Sequence, residues 1–81
     1  MDRAKHFLDF AERFATLSGR QQQVATLVGA GLSNKNIAEK MGVSEGTVKT
    51  HLHAIYDKLH IQSRVEIIIA SRIVQTRSPS D

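Results

Sequence analysis

Apolar side chains in this chain recur at spacings of three and four, and they nowhere alternate over a useful stretch, so the pattern is helical throughout. Residues 3–15 put Phe7, Phe10, Ala11 and Phe14 on one face of an amphipathic helix. Ser18-Gly19-Arg20-Gln21 has the Ser-x-x-Gln form of a capping box, with Leu17 placed as its hydrophobic staple. The helix it opens runs to about Ala30 and turns Val24, Leu27 and Val28 inward, with Gly31 and Leu32 reading as its left-handed cap and the contact after it. Ser33 opens a short helix to Met41 that buries Ile37, Ala38 and Met41, and Gly42 ends it. Ser44 caps a longer helix to about Leu59 whose inward stripe is Val48, Leu52, Ile55 and Leu59. Ser63-Arg64-Val65-Glu66 predicts another capping box and a last helix to about Val74. The single proline, at 79, lies in a polar tail, residues 76–81, expected to be mobile.

The pattern therefore predicts an all-α domain of 81 residues, enough for one domain and too few for two. Hydrophobic content of 41% suits a globular chain. The absence of cysteine removes disulfide scaffolds, zinc fingers and thiol catalysis, and fits a reducing cytosol. No apolar run approaches the roughly 20 residues that span a bilayer, and the first residues lack the apolar stretch of a signal peptide. A cytoplasmic protein is expected, associated with the nucleoid when bound to DNA. Net charge is +3, a modest excess that only weakly indicates a polyanionic partner. Residues 33–64 carry five bases and three acids, so the direction of the charges matters more than their sum.

Ser33 to Leu59 is the informative unit: a short helix, a tight turn holding Gly42, then a longer capped helix. That is the order of a helix-turn-helix, in which the second helix enters the major groove of DNA. At about 100° per residue, Gly46, Thr50, His53 and Asp57 lie opposite the inward stripe, with Lys49 at their border. Gly46 lets a groove edge come close, and Lys49 is able to donate to guanine O6 or N7. Thr50 offers a hydroxyl or a methyl, and His53 donates or accepts. A neighbouring arc of Thr47, His51 and Lys58 suits phosphates, as do Ser44 at the positive end of the helix and Asn34 and Lys35 across the turn. Asp57 indicates that the C-terminal end leaves the DNA or that Asp57 pairs with His53.

The last helix carries two apolar stripes. Val65, Ile68, Ile69 and Ile73 form one; Ile67, Ala70 and Val74 form another, nearly opposite. One stripe suffices to dock a helix, so the second, Ile67, Ala70 and Val74, is expected to form a dimer interface. The competing reading makes that stripe core, covered by the phenylalanine-rich first helix.

Leu17-Ser18-Gly19-Arg20-Gln21, Gly31-Leu32-Ser33-Asn34-Lys35-Asn36-Ile37-Ala38, Val43-Ser44-Glu45-Gly46-Thr47-Val48-Lys49-Thr50-His51-Leu52, Lys58-Leu59 and Ser63-Arg64 together resemble the LuxR-type C-terminal domain. This is the four-helix output module of NarL/FixJ response regulators and quorum-sensing regulators, and the likeness covers about residues 16–75. It implies sequence-specific binding of double-stranded DNA, dimerisation through the last helix (about 64–74) and control of transcription; RNA polymerase is a further candidate partner. It implies base contacts from Lys49, Thr50 and His53, and phosphate contacts near Asn34, Lys35, Ser44, Thr47 and Lys58. The stretch Arg13-Phe14-Ala15-Thr16-Leu17-Ser18 is similar to the linker of FixJ-like proteins, which points to the two-component branch. Three residues depart from the family's habit of Pro at 19 and Glu at 21 and 23: here they are Gly, Gln and Gln. Gln21 keeps the capping function and removes a charge.

The expected organisation is thus a linker helix in residues 1–16, a LuxR-type domain in 17–75 and the tail in 76–81. A receiver domain would need roughly 120 further residues, so the chain reads as an excised output domain or a short regulator. Phe7, Phe10 and Phe14 lie outside the likeness and are assigned to packing the linker helix. His51 and His53 diverge by about 200° on a helix and cannot share a metal. Gly29-Ala30-Gly31 with Asn34-Lys35 lacks the spacing and preceding strand of a phosphate loop. No catalysis, metal, cofactor or small-molecule ligand is expected. The alternative to DNA binding is a helix-turn-helix used for protein contact with the transcription machinery.

Overall fold

A computed structural model describes the backbone of residues 3–76 and the side chains of residues 9–72. Within that span the chain forms α1 (Arg3–Phe14), α2 (Gly19–Gly29), α3 (Asn34–Met41), α4 (Glu45–Leu59) and α5 (Arg64–Thr76), with no strand among the described residues. The predicted tail lies outside the described residues, apart from Thr76, which ends α5.

The helix boundaries follow from the polar groups that satisfy otherwise unpaired backbone at each end. At α2, Ser18 Oγ accepts from the Gln21 backbone N–H at 3.2 Å and Gln21 Oε1 accepts from the Ser18 N–H at 3.0 Å, which completes the capping box. Ser33 and Ser44 open α3 and α4 in the same way, each accepting from the backbone N–H three residues on at 3.1 Å. Gly31 and Gly42 close α2 and α3 at φ values of 93° and 72°, where a glycine has no Cβ to strain. The Leu32 N–H then reaches the Leu27 carbonyl at 3.2 Å, and the Val43 N–H reaches Ala38 at 3.0 Å. The α4 helix ends in the same manner on His60, at φ 58°, a left-handed conformation with no glycine to mark it. The capping box expected at Ser63 takes a different form: the Glu66 carboxylate accepts from the Gln62 N–H at 3.2 Å.

One core joins α2, α3, α4 and α5. Val24, Ala25 and Val28 of α2 meet Ile37 and Ala38 of α3, and Val48, Leu52, Ile55 and Leu59 of α4, with Leu17 sealing the entrance to α2. Leu27 and Met41, expected to face inward, are half-buried at its edge. Burying such a side chain contributes roughly 1.5–3 kcal/mol, so the α4 stripe supplies much of what holds this small domain.

Helix α5 corrects the sequence reading. Ile67 is 2% exposed and Ala70 is also buried, so both belong to the monomer interior and neither is free to form a dimer interface. Val65 and Ile69, on the other stripe, are 56% and 53% exposed. The stripe expected to be free thus faces inward at Ile67 and Ala70, while Ile68 of the other stripe is half-buried at the edge of the core; the side chains of Ile73 and Val74 are outside the described residues. The cause is the close seam between α5 and α2, where a Cβ built on Gly29 would stand 2.8 Å from the Ser71 Cβ. Glycine at 29 lets α5 come down on the Ile67 side. The competing reading of that stripe as core holds for Ile67 and Ala70, on a helix packed against α2, and Phe10 and Phe14 of α1 line a cavity of about 450 Å³ beside them. The two rings, 6.3 Å apart, pack against the core from α1. Phe7's side chain is outside the described residues.

Candidate nucleic-acid interface

The turn between α3 and α4 consists of Gly42, Val43 and Ser44. Gly42 reverses the chain, Val43 packs against the core, and Ser44 starts α4. The inner stripe of α4 is buried end to end, and this fixes the rotation of the helix and therefore which residues look outward. Gly46, Lys49, Thr50, His53 and Asp57 are all exposed, as the periodicity predicted.

Three of these side chains, Lys49, His53 and Asp57, are without a partner among the described residues. Lys49 and His53 make no hydrogen bond or ion pair among the described residues, so the expected alternative pairing of His53 with Asp57 is not formed. Thr50 Oγ1 donates to the Gly46 carbonyl at 3.1 Å. A Cβ on Gly46 would meet nothing closer than Ser44 Oγ at 3.7 Å, so nothing inside the domain requires glycine there. An exposed helical glycine costs about 1 kcal/mol relative to alanine, and no contact among the described residues offsets that cost.

The residues assigned to phosphates fall into two groups. Lys35, Ser44 and Thr47 are exposed around the turn. Ser44 Oγ donates to Thr47 Oγ1 at 3.1 Å, which leaves the Thr47 hydroxyl proton for an outside acceptor. Asn34 and Lys58 are instead engaged within the domain. Asn34 Oδ1 accepts from Arg64 Nη1 at 2.8 Å, so only its amide N–H groups remain for a phosphate. Lys58 Nζ donates to Gln21 Oε1 at 3.0 Å, so the residue that caps α2 also holds the far end of α4. His51 is half-buried, at the edge of this arc.

Arg64 is a structural residue that periodicity did not single out. Its Nη2 donates to the Leu32 carbonyl at 2.9 Å while Nη1 takes Asn34, so one guanidinium ties the start of α5 to the start of α3. The partners lie about thirty residues apart in the chain, where no local signal connects them. Gln22 does a similar task for α1, donating from Nε2 to the Phe14 and Leu17 carbonyls at 3.4 and 3.3 Å.

A short scaffold helix, a three-residue turn and a second helix with a polar, outward face define a helix-turn-helix module. Residues 15–71 match the family described as bacterial regulatory proteins, luxR family, and the chain belongs to that family of DNA-binding transcription regulators. It is 40% identical over 57 residues to the two-component response regulator PprB of Pseudomonas aeruginosa, covering 70% of this chain and 21% of that protein. With the transcriptional regulatory protein YxjL of Bacillus subtilis, identity is 41% over 64 residues, 79% of this chain and 28% of the relative. The response regulator StyR has a solved structure that matches with a TM-score of 0.71 at 39% identity, over 79% of this chain and 32% of that one. The chain thus spans about a quarter of the length of these relatives. Among the described residues no helix is long and apolar enough to cross a membrane.

Proposed function

We propose that this chain binds double-stranded DNA sequence-specifically, as the output module of a two-component response regulator working in the cytoplasm. Helix α4 lies in the major groove, with Gly46, Lys49, Thr50 and His53 against base edges. Lys35, Ser44, Thr47, His51, Lys58 and the Asn34 amide hold the phosphates on either side. One observation carries the reading: the outward face of α4 holds a lysine and a histidine with no partner among the described residues, beside a glycine at which an added Cβ would meet only ordinary contact. The response-regulator assignment rests on the relatives, two of which are named as such regulators.

Dimerisation is part of the same proposal, through the stripe of α5 that the monomer leaves open. Val65 and Ile69 are four residues apart and more than half exposed, enough to seed a two-fold contact that sets two α4 helices on successive major grooves.

Selection of bound duplexes from a random pool tests the whole reading. The expected result is one preferred sequence in two half-sites about 10 base pairs apart, centre to centre, bound with a steep loss of affinity as salt rises. Lys49→Ala should then cost roughly 1–3 kcal/mol on the preferred duplex and much less on random DNA. Enrichment of no sequence would favour the helix-turn-helix as a protein-contact module of the transcription machinery.

A further inference from the structure

On the outward face of α4, Lys49, His53 and Asp57 are polar side chains without a partner among the described residues, and Thr50 is one whose polar group is already used. Thr50 Oγ1 donates to the carbonyl of Gly46, one turn back, at 3.1 Å. A threonine bonded this way turns its oxygen onto its own helix, and the staggered Cγ2 methyl is then the part of the side chain left to project. The residue one turn back has no side chain to cover it, because it is Gly46. On either side, Lys49 and His53 carry donors and acceptors of this face without a partner among the described residues.

We infer that Thr50 selects thymine through its methyl group, by contact with the C5-methyl that distinguishes thymine in the major groove. This rests on the proposed reading of α4 as the groove helix and says how one position of it discriminates. Donating the hydroxyl proton to a base would require the Gly46 bond to be given up. The exchange would return only the small difference between two hydrogen bonds. Accepting from cytosine N4 or adenine N6 would need that base to reach an oxygen turned toward the helix backbone. A methyl contact needs neither, and costs the protein no rearrangement.

Two substitutions separate the groups. Thr50→Val keeps a methyl and has no hydroxyl; Thr50→Ser keeps the hydroxyl and its bond to Gly46 and has no methyl. Both are measured in the full 81-residue chain, on the duplex selected by the wild type, with deoxyuridine replacing each thymine in turn. Thermal unfolding checks that both variants are folded. One thymine should stand out: its replacement weakens wild-type binding about fourfold, the size expected of one methyl buried between two apolar groups. Thr50→Ser should lose a similar factor and become insensitive to that replacement, while Thr50→Val binds within about twofold of the wild type, inside the usual error of additivity. Wild-type affinity in Thr50→Ser together with a large loss in Thr50→Val would assign the reading to the hydroxyl and overturn the inference. So would a preferred duplex in which no thymine methyl is coupled to residue 50. A wild type that selects no sequence fails at the earlier step, and removes both the groove reading and this one.

Discussion

Helices α4 and α5 are of similar length, 15 and 13 residues, and each sets an apolar stripe into the same core. They differ in the face left over. Opposite its stripe, α4 carries Gly46, Thr50, His53 and Asp57, polar or bare, so only one rotation of the helix buries hydrocarbon without burying unpaired polar groups. Opposite Ile67 and Ala70, α5 carries Val65 and Ile69, and either rotation satisfies the hydrophobic effect equally. A helix with one apolar face orients itself. One with two is oriented by its neighbours, here by the gap that Gly29 leaves for Ser71.

The largest test of this contrast sets the two stripes of α5 against each other. Ile67→Ala should cost about 2–5 kcal/mol, as for other large-to-small changes in a core. A domain this small has only about 3–5 kcal/mol to lose, so circular dichroism should show much of it unfolded. Ile69→Ala should change monomer stability by less than about 0.5 kcal/mol, and its effect should appear in sedimentation as a weaker dimer. Equal losses in urea unfolding for both variants would erase the distinction between the faces.

Next in size is the seam itself. Gly29→Ala should destabilise by about 1–3 kcal/mol, because the new methyl meets the Ser71 side chain at a helix crossing and α5 must shift. Combining it with Ser71→Gly should recover part of the loss, and the non-additivity in a double-mutant cycle measures the contact directly. Additive effects would mean that α2 and α5 do not meet there.

The corresponding change on α4 should go the other way. Gly46→Ala meets only ordinary contact with Ser44, so thermal unfolding should show a gain of about 0.5–1 kcal/mol, while affinity for the preferred duplex falls. Stability and binding moving up together would remove Gly46 from the interface.

The smallest effect concerns the rim of α4. Gln21→Glu would give Lys58 a charged partner, worth about 0.2–1 kcal/mol at low salt and less at high salt. If Lys58 meets a phosphate, neutralising it this way should also lower the slope of log affinity against log salt by about one. An unchanged slope would confine Lys58 to holding α2 and α4 together.

Much of this molecule was legible in the order of its residues, because short-range physics settled it. Three serines and their partners three residues on mark where α2, α3 and α4 begin, and Gly31 and Gly42 mark where two of them end, since capping involves only neighbouring backbone. The outward set on α4 followed from a single apolar stripe at helical spacing. His60 gave no such sign, as the left-handed end of α4 falls on a residue that does not advertise it. Tertiary structure alone decided three further things: which face of α5 is core, that Arg64 spans from Leu32 to Asn34, and that Lys58 rests on Gln21. Each depends on groups far apart in the chain and brought together by packing, where periodicity carries no information. Local hydrogen bonding and the helical repeat are properties of a segment; the choice between two equally apolar faces belongs to the whole domain.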